Sequence, residues 1–219
     1  MAYIREIFSS IQGEGPLVGY KQLFIRFCRC NLSCAYCDTD FDIDKSKNYS
    51  VSELLNIVEK YSDCHSISLT GGEPLLEYEF IKEFAKQSPL PLYLETNGTL
   101  VDELNQIINC VDYVASDIKL PSCTCKDTNW QIHDEFIKIA SRKNAFAKAV
   151  FNECINDDEI EKMTSICSKH NVQLILQPMM IANKPSVSSD FMLATLNKCL
   201  KLYNNVRLIP QVHKFINVY

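Results

Sequence analysis

Two kinds of apolar stretch alternate along this chain. Short runs rich in leucine, β-branched and aromatic residues occupy 23–27, 66–70, 92–95, 113–117, 145–150, 173–177 and 206–209, and an earlier piece at 3–7 adds a strand or a β-ribbon. Their composition suits strands. Between them lie longer stretches with helical spacing. The first opens on Ser50 with Glu53 three residues later, the spacing of a capping box, and continues through Leu54, Leu55 and Val58. Others cover 76–86, 101–108, 134–140, 157–169 and 191–202. Strands alternating with helices of this length imply βαβ units around a parallel sheet. A closed eightfold barrel typically takes ~250 residues. Seven such strands in 219 residues therefore predict an α/β fold built as an incomplete TIM-type barrel. No Gly/Ser linker, low-complexity segment or internal repeat interrupts the pattern, so residues 1–219 read as one domain.

The polar words of the sequence fall at the ends of these strands. Thr70-Gly71-Gly72-Glu73-Pro74 follows one strand, Glu95-Thr96-Asn97-Gly98 closes the next, and Ser116-Asp117-Ile118-Lys119 the one after. Gln177-Pro178 and Pro210-Gln211 end two later strands. Parallel α/β folds place their ligand site at the carboxyl ends of the strands. Five words at five strand ends predict one shared site.

Composition narrows the function classes. Hydrophobic residues make up 47% of the chain and charged residues 22%, ordinary for a globular protein. A formal net charge of −5 argues against broad attraction to nucleic acid or to an acidic membrane. No apolar run approaches the ~20 residues of a membrane span, and the start, MAYIREIFSS, lacks the pattern of a signal peptide. The expectation is a cytoplasmic protein. Eleven cysteines without an export signal favour reduced thiols or metal ligands over disulfides. Cys64, Cys110, Cys154, Cys167 and Cys199 are scattered among apolar residues and read as small core fillers.

Cys30, Cys34 and Cys37 instead form a C-x3-C-x2-C cluster. Three thiolates on so short a loop suit three corners of a cubane iron–sulfur cluster, leaving the fourth iron open to a substrate or cofactor. Structural zinc, which takes four closed ligands, is the alternative, with Cys28 as the fourth. Cys123 and Cys125 form a further C-x-C pair, read as incidental loop thiols or at most an accessory metal site.

With Tyr36 before its last cysteine, the cluster motif resembles the signature of the radical S-adenosylmethionine superfamily, and Thr70-Gly71-Gly72-Glu73-Pro74 resembles that superfamily's GGE motif. Within it the chain resembles the 7-carboxy-7-deazaguanine synthase family over nearly its whole length. The matching words are Ile11-Gln12-Gly13-Glu14-Gly15, Arg26-Phe27, Cys37-Asp38-Thr39, the GGEP and ETNG words, and the stretch from Val206 to Lys214. The resemblance implies a 4Fe–4S cluster on Cys30, Cys34 and Cys37, S-adenosylmethionine cleaved to a 5′-deoxyadenosyl radical, and Mg2+ at Thr39. The implied reaction is ring contraction of 6-carboxy-5,6,7,8-tetrahydropterin with loss of ammonia, in the deazapurine pathway toward queuosine. It also implies an electron donor such as flavodoxin or ferredoxin, and a homodimer.

The resemblance assigns cofactor contacts to Tyr36, Cys37, Asp38, Gly72, Glu73, Ser116, Asp117, Lys119, Gln177 and Pro178, with the register of the Ser116-to-Lys119 word open by one position. Substrate contacts fall on Ile11, Gln12, Gly13, Glu14, Arg26, Thr70 and Glu95. Without it, Gly13 and Gly15 read as turn residues, Arg26 equally suits an internal salt bridge, and the acidic run around Thr39 reads as a solvated loop. His213 reads as structural. A glycyl-radical activating enzyme, which shares the cluster, the GGEP word and an Asp-x-Lys word, is the runner-up, followed by a non-enzymatic zinc module.

Overall fold

The computed structural model describes residues 1–35, 37 and 45–218. Tyr36, Asp38 and Thr39, three of the expected site residues, lie outside them. The chain opens with strand β1 (Ala2–Ile11) and β2 (Lys21–Phe27), followed by the short β3 (Lys47–Tyr49). Helix α1 (Val51–Val58) begins at the expected capping box, Ser50 and Glu53 each bonding the other's backbone N–H. Then come β4 (Ser66–Gly71), α2 (Tyr78–Ala85), β5 (Leu92–Thr96), α3 (Val101–Ile107) and β6 (Tyr113–Asp117). The second half carries α4 (Pro121–Thr124), α5 (Trp130–Ala140), β7 (Asn144–Phe151), α6 (Asp157–Lys169) and β8 (Gln173–Pro178). It closes with a small hairpin of β9 (Met180–Ile181) and β10 (Lys184–Pro185), then α7 (Ser189–Leu202), β11 (Val206–Leu208) and α8 (Val212–Ile216).

Among the described residues the strands β11-β8-β7-β6-β5-β4-β2-β1-β3 form one sheet. From β2 to β11 all pairings are parallel, and β1 and β3 join antiparallel at one end. Parallel neighbours that follow chain order are the mark of a singly wound barrel. Here β3 and β11 are the two ends of the sheet, so the barrel is open, as its length predicted. The early piece at 3–7 is the middle of a longer ribbon. The helix expected at 134–140 begins four residues earlier, because Asn129 caps it by accepting from Ile132 N–H. A short 3-10 turn at Pro74–Glu77 takes the start of the helix expected at 76–86. The hairpin, β3, α4 and α8 are too short to leave a periodic signal.

Alternation along the strands decides what faces the barrel interior. Leu23, Ile25, Ile67, Leu69, Leu92, Leu94 and Val114 point outward and pack under α1, α2 and α3. Ala147, Ala149, Phe151, Leu174 and Leu176 do the same under α5, α6 and α7. Tyr93, Ala115, Phe146, Ile175 and Ile209 point inward and close the floor of the half-barrel, with Leu17 and Val18 of the N-terminal loop packed on them. One strand step above that apolar floor, toward the carboxyl ends, the inward positions turn polar: Thr70, Glu95, Asp117, Lys148 and Gln177. Among the described residues no helix is long and apolar enough to cross a membrane.

Candidate functional site

The inward polar positions surround a cavity of about 780 Å3 at the carboxyl ends of the strands. Ligand sites commonly fall in this size range, and in this place in parallel folds. All five polar words reach it, and it also takes in Cys30, Cys34 and Cys37 and the loop of Ile11, Gln12, Gly13 and Glu14. Arg26 lines it as well, with Nε 3.0 Å from Glu6 Oε2 and the guanidinium over the Phe8 ring at 5.5 Å. An internal ion pair and a cavity position thus coexist in one side chain.

The two glycines of the GGEP word exist to let backbones meet. Gly72 N–H donates to Phe27 O at 2.9 Å and Glu73 N–H to Arg29 O at 2.7 Å, which pins the end of β4 flat against the start of the cysteine loop. A Cβ on Gly72 would run into the Arg29 carbonyl, lying 2.6 Å from its carbon. Gly71 sits at φ +106°, a left-handed backbone that favours glycine. Asn97 completes the contact. Its Nδ2 donates to Asn31 Oδ1 at 2.7 Å and lies 3.9 Å from Cys30 Sγ. Burial pushes the Cys30 and Cys34 thiols up, and the Lys119 charge offsets only part of the rise at Cys34. The three cysteines therefore share one wall beside a glycine cradle. Among the described residues no three His, Cys, Asp or Glu converge to hold a single ion. A cubane spreads its thiolates over separate irons and needs no such convergence.

Two expected contact residues sit elsewhere. Ser116 occupies an outward position of β6, fully buried and away from the cavity, because the inward positions there are Ala115 and Asp117. Of that word, Asp117 and Lys119 line the cavity, and the Lys119 ammonium donates to Asp117 Oδ2 at 2.7 Å. Glu73 is also fully buried. Its carboxylate accepts from Leu75 N–H at 3.0 Å, Thr96 Oγ1 at 2.9 Å and Asn97 N–H at 2.7 Å. It braces the ends of β4 and β5 from behind and does not reach the cavity.

Burial pushes the Glu73 carboxyl up to about 7 against the pull of its three donors. Folding therefore favours its protonated form. That contribution is fully present below the ordinary value of 4.5 and is lost as pH rises through about 7. Under reducing conditions, wild type should lose on the order of a few kcal/mol of stability relative to Glu73→Gln between pH 5 and pH 8. Denaturant titrations at both pH values check this, and parallel pH dependences of the two proteins would refute it.

Opposite the cysteine wall, charges meet in a chain that the residue patterns did not suggest. Lys148 on β7 contacts Glu14 Oε2 and lies 3.2 Å from Asp117 Oδ1. Gln211 Nε2 donates to the other Glu14 oxygen at 2.7 Å. Burial raises the Glu14 and Asp117 carboxyls, but the lysines outweigh it and both end below the usual range. Glu95 ends above it, through burial and the nearby Glu14, although Gln12 Nε2 and Ser68 Oγ donate to its Oε1 at 3.0 and 2.9 Å and Thr70 Oγ1 to its Oε2 at 3.2 Å. The C-terminal segment closes this side. Val212 N–H donates to Gly13 O at 2.9 Å, and Gly13 has no room for a Cβ because His213 lies against it.

Lys148 lines the cavity without having been singled out, Asn97 and Gln211 line it from words that gave them no individual role, and His213, expected to be structural, lines it too. Lys148 had a signal, as the lone charge in Ala147-Lys148-Ala149 on a strand. His213 is placed by long-range packing that no local pattern carries. Cys64, Cys167 and Cys199 are buried as expected of fillers, but Cys110 is only half-buried. Cys154 is exposed and reaches the cavity rim with Cys123 and Cys125, because it sits in the turn after β7 and not on a packed face. Cys28 is buried at the end of β2, away from the cavity.

Residues 24–146 match the family model described as the Radical SAM superfamily. Over 98% of its length the chain is 37% identical to the 7-carboxy-7-deazaguanine synthase of Geobacter sulfurreducens, covering 97% of that protein. A 7-carboxy-7-deazaguanine synthase of Archaeoglobus fulgidus is 32% identical, with 99% of each chain covered. Among solved structures, QueE from Escherichia coli superimposes with a TM-score of 0.68 over 97% of this chain and 94% of its own, at 21% identity, which shows a shared fold.

Proposed function

This chain belongs to the 7-carboxy-7-deazaguanine synthase family of the radical SAM superfamily, and from that membership we propose that it is a radical SAM lyase. Its reaction is the contraction of 6-carboxy-5,6,7,8-tetrahydropterin to 7-carboxy-7-deazaguanine with loss of ammonia, on the route to queuosine. The observation that carries this reading is the single cavity in which the cysteine loop, the strand-end words and the N-terminal loop meet. The Gly71-Gly72 cradle and the shared wall of Cys30, Cys34 and Cys37 fit a 4Fe–4S cluster with a cofactor beside it. When bound, the cluster and S-adenosylmethionine supply the electron and the radical that start the reaction.

The chain's own residues bind, orient and exclude water. Cys30, Cys34 and Cys37 hold the cluster, and Asn97 orients Cys30. Gly72, Asp117, Lys119, Gln177 and Pro178, with Tyr36 and Asp38, form the cofactor side. Glu73 serves it indirectly by fixing the Asn97 backbone. Ile11, Gln12, Gly13, Glu14, Arg26, Thr70 and Glu95 form the substrate side. A flat pterin edge carrying N–H donors suits the carboxylate of Glu95, which Gln12, Ser68 and Thr70 hold in place. The Arg26 guanidinium suits the substrate carboxylate.

Mg2+ at Thr39 is part of the same reading. Mg2+ takes oxygen ligands, and held there it would offset the charge of the substrate carboxylate. Thr39→Val should blunt the stimulation of turnover by Mg2+, and an unchanged Mg2+ titration would remove Thr39 from the site. A homodimer, a flavodoxin- or ferredoxin-type electron donor and a cytoplasmic setting complete the proposal, with residues 1–219 acting as one domain. Anaerobic turnover with reductant, S-adenosylmethionine and the carboxypterin tests the function, with products identified by mass spectrometry. Net 5′-deoxyadenosine without deazaguanine would overturn the substrate assignment. Cleavage of a glycyl-radical partner's backbone hydrogen is the rival outcome.

A further inference from the structure

We propose that Lys148 is the positioning residue of this cavity: its ammonium ties Glu14 of the N-terminal loop to Asp117 at the end of β6, so that the substrate side and the cofactor side keep one fixed spacing. The argument begins on β7. Phe146, one inward step below, belongs to the apolar floor, and Val150, one step above, lines the cavity. A lysine between two apolar inward residues, with a side chain only 12% exposed, costs desolvation unless opposite charge surrounds it.

That charge comes from three different segments. Glu14 stands on the N-terminal loop, Glu95 at the end of β5 and Asp117 at the end of β6, and all three act to keep Lys148 protonated. The other titratable groups around this cluster are Lys119 beside Asp117, Tyr93 on the floor below, and His213 and Lys214 of the C-terminal segment, which line the same cavity. The loop's two ends are tied to each other through Gln12 N–H to Tyr20 O at 2.8 Å and Gly19 N–H to Gln12 O at 2.9 Å, Gln12 Nε2 donates to Gln22 Oε1 on β2 at 2.9 Å, and Leu17 and Val18 rest on the apolar floor. Its tip reaches across the open barrel. There Lys148 meets it from the sheet, while Gln211 holds the second Glu14 oxygen from the C-terminal segment. One ammonium thus bridges parts of the chain that are 134 residues apart in sequence.

The test compares Lys148→Met and Lys148→Arg with wild type as the cluster-loaded protein. In Lys148→Met without ligands, hydrogen exchange across residues 12–19 should quicken roughly tenfold or more, while β4 and β5 stay protected. In turnover, KM for the carboxypterin should rise roughly tenfold, with a smaller change in kcat. That KM should also climb as pH falls from 8 to 6, because burial raises the Glu14 carboxyl once no ammonium offsets it, while Asp117 keeps Lys119; wild type should stay flat. Lys148→Arg, which keeps the charge, should restore the loop protection and the flat profile. Should Lys148→Met not fold, Glu14→Gln must loosen the same loop segment. Unchanged exchange in whichever of these folds, or equal KM and pH profiles in Lys148→Met and wild type, overturns the proposal. The ligand readouts rest on the proposed function and the exchange readout does not. A loosened loop in a protein whose wild type makes no deazaguanine would sink the substrate assignment and leave Lys148 in place.

Discussion

Replacing Cys34 with alanine should abolish the iron–sulfur chromophore and all reductive cleavage of S-adenosylmethionine. The cluster-free variant should melt within ~2 °C of cluster-free wild type. The two halves of this expectation have separate causes. On the proposed assignment an iron then loses its only protein ligand, and Cys28, buried at the end of β2 away from the cavity, does not replace it. The fold survives because, among the described residues, Cys34 belongs to none of the three apolar clusters. Cys167→Ala provides the contrast. That thiol is fully buried between α6 and the sheet, so its loss should cost about 1–2 kcal/mol of stability with the cluster intact. Iron and sulfide analysis with thermal melts reads both variants. A Cys34→Ala protein that still assembles a redox-active 4Fe–4S cluster would remove the three-cysteine assignment.

Gly72→Ala should be nearly as damaging by another route. The added methyl meets the Arg29 carbonyl, a backbone group that cannot rotate aside, and the Cys28 carbonyl lies 3.1 Å away. Relief requires breaking the Gly72-to-Phe27 or Glu73-to-Arg29 hydrogen bond, which together hold the cysteine loop to the end of β4. Overpacking of this kind costs about 1–3 kcal/mol. Because the displaced element carries the proposed cluster ligands, the larger effect should appear in cofactor binding, with a loss of affinity for S-adenosylmethionine of roughly a hundredfold. Equilibrium dialysis under anaerobic conditions measures it. Wild-type affinity in Gly72→Ala would mean that the close approach of these backbones plays no part in the site.

The sequence carried the architecture because the seven main strands and the longer helices between them are locally encoded. Seven apolar runs at regular intervals, a capping box at Ser50 and Glu53 and the length of the chain are enough to specify an open, chain-ordered parallel barrel. They also place the chemistry, since every polar word at a strand end reaches the same cavity. The cysteine triplet and the glycine pair are short, sequence-local devices and were legible on sight.

What tertiary structure alone decided is which of two neighbouring residues faces the cavity, and which distant segments meet there. Strand alternation turns Ser116 outward and Asp117 inward, a distinction that a four-residue word with an uncertain register does not contain. Glu73 stands in the motif but acts from behind it, because its oxygens are consumed by Leu75 N–H, the Thr96 hydroxyl and Asn97 N–H. Lys148 and His213 owe their places to contacts across more than a hundred residues, with Glu14 and Gly13. Such contacts depend on how the sheet curves and where the chain's two ends are held, and those are properties of the packed barrel rather than of any stretch of sequence.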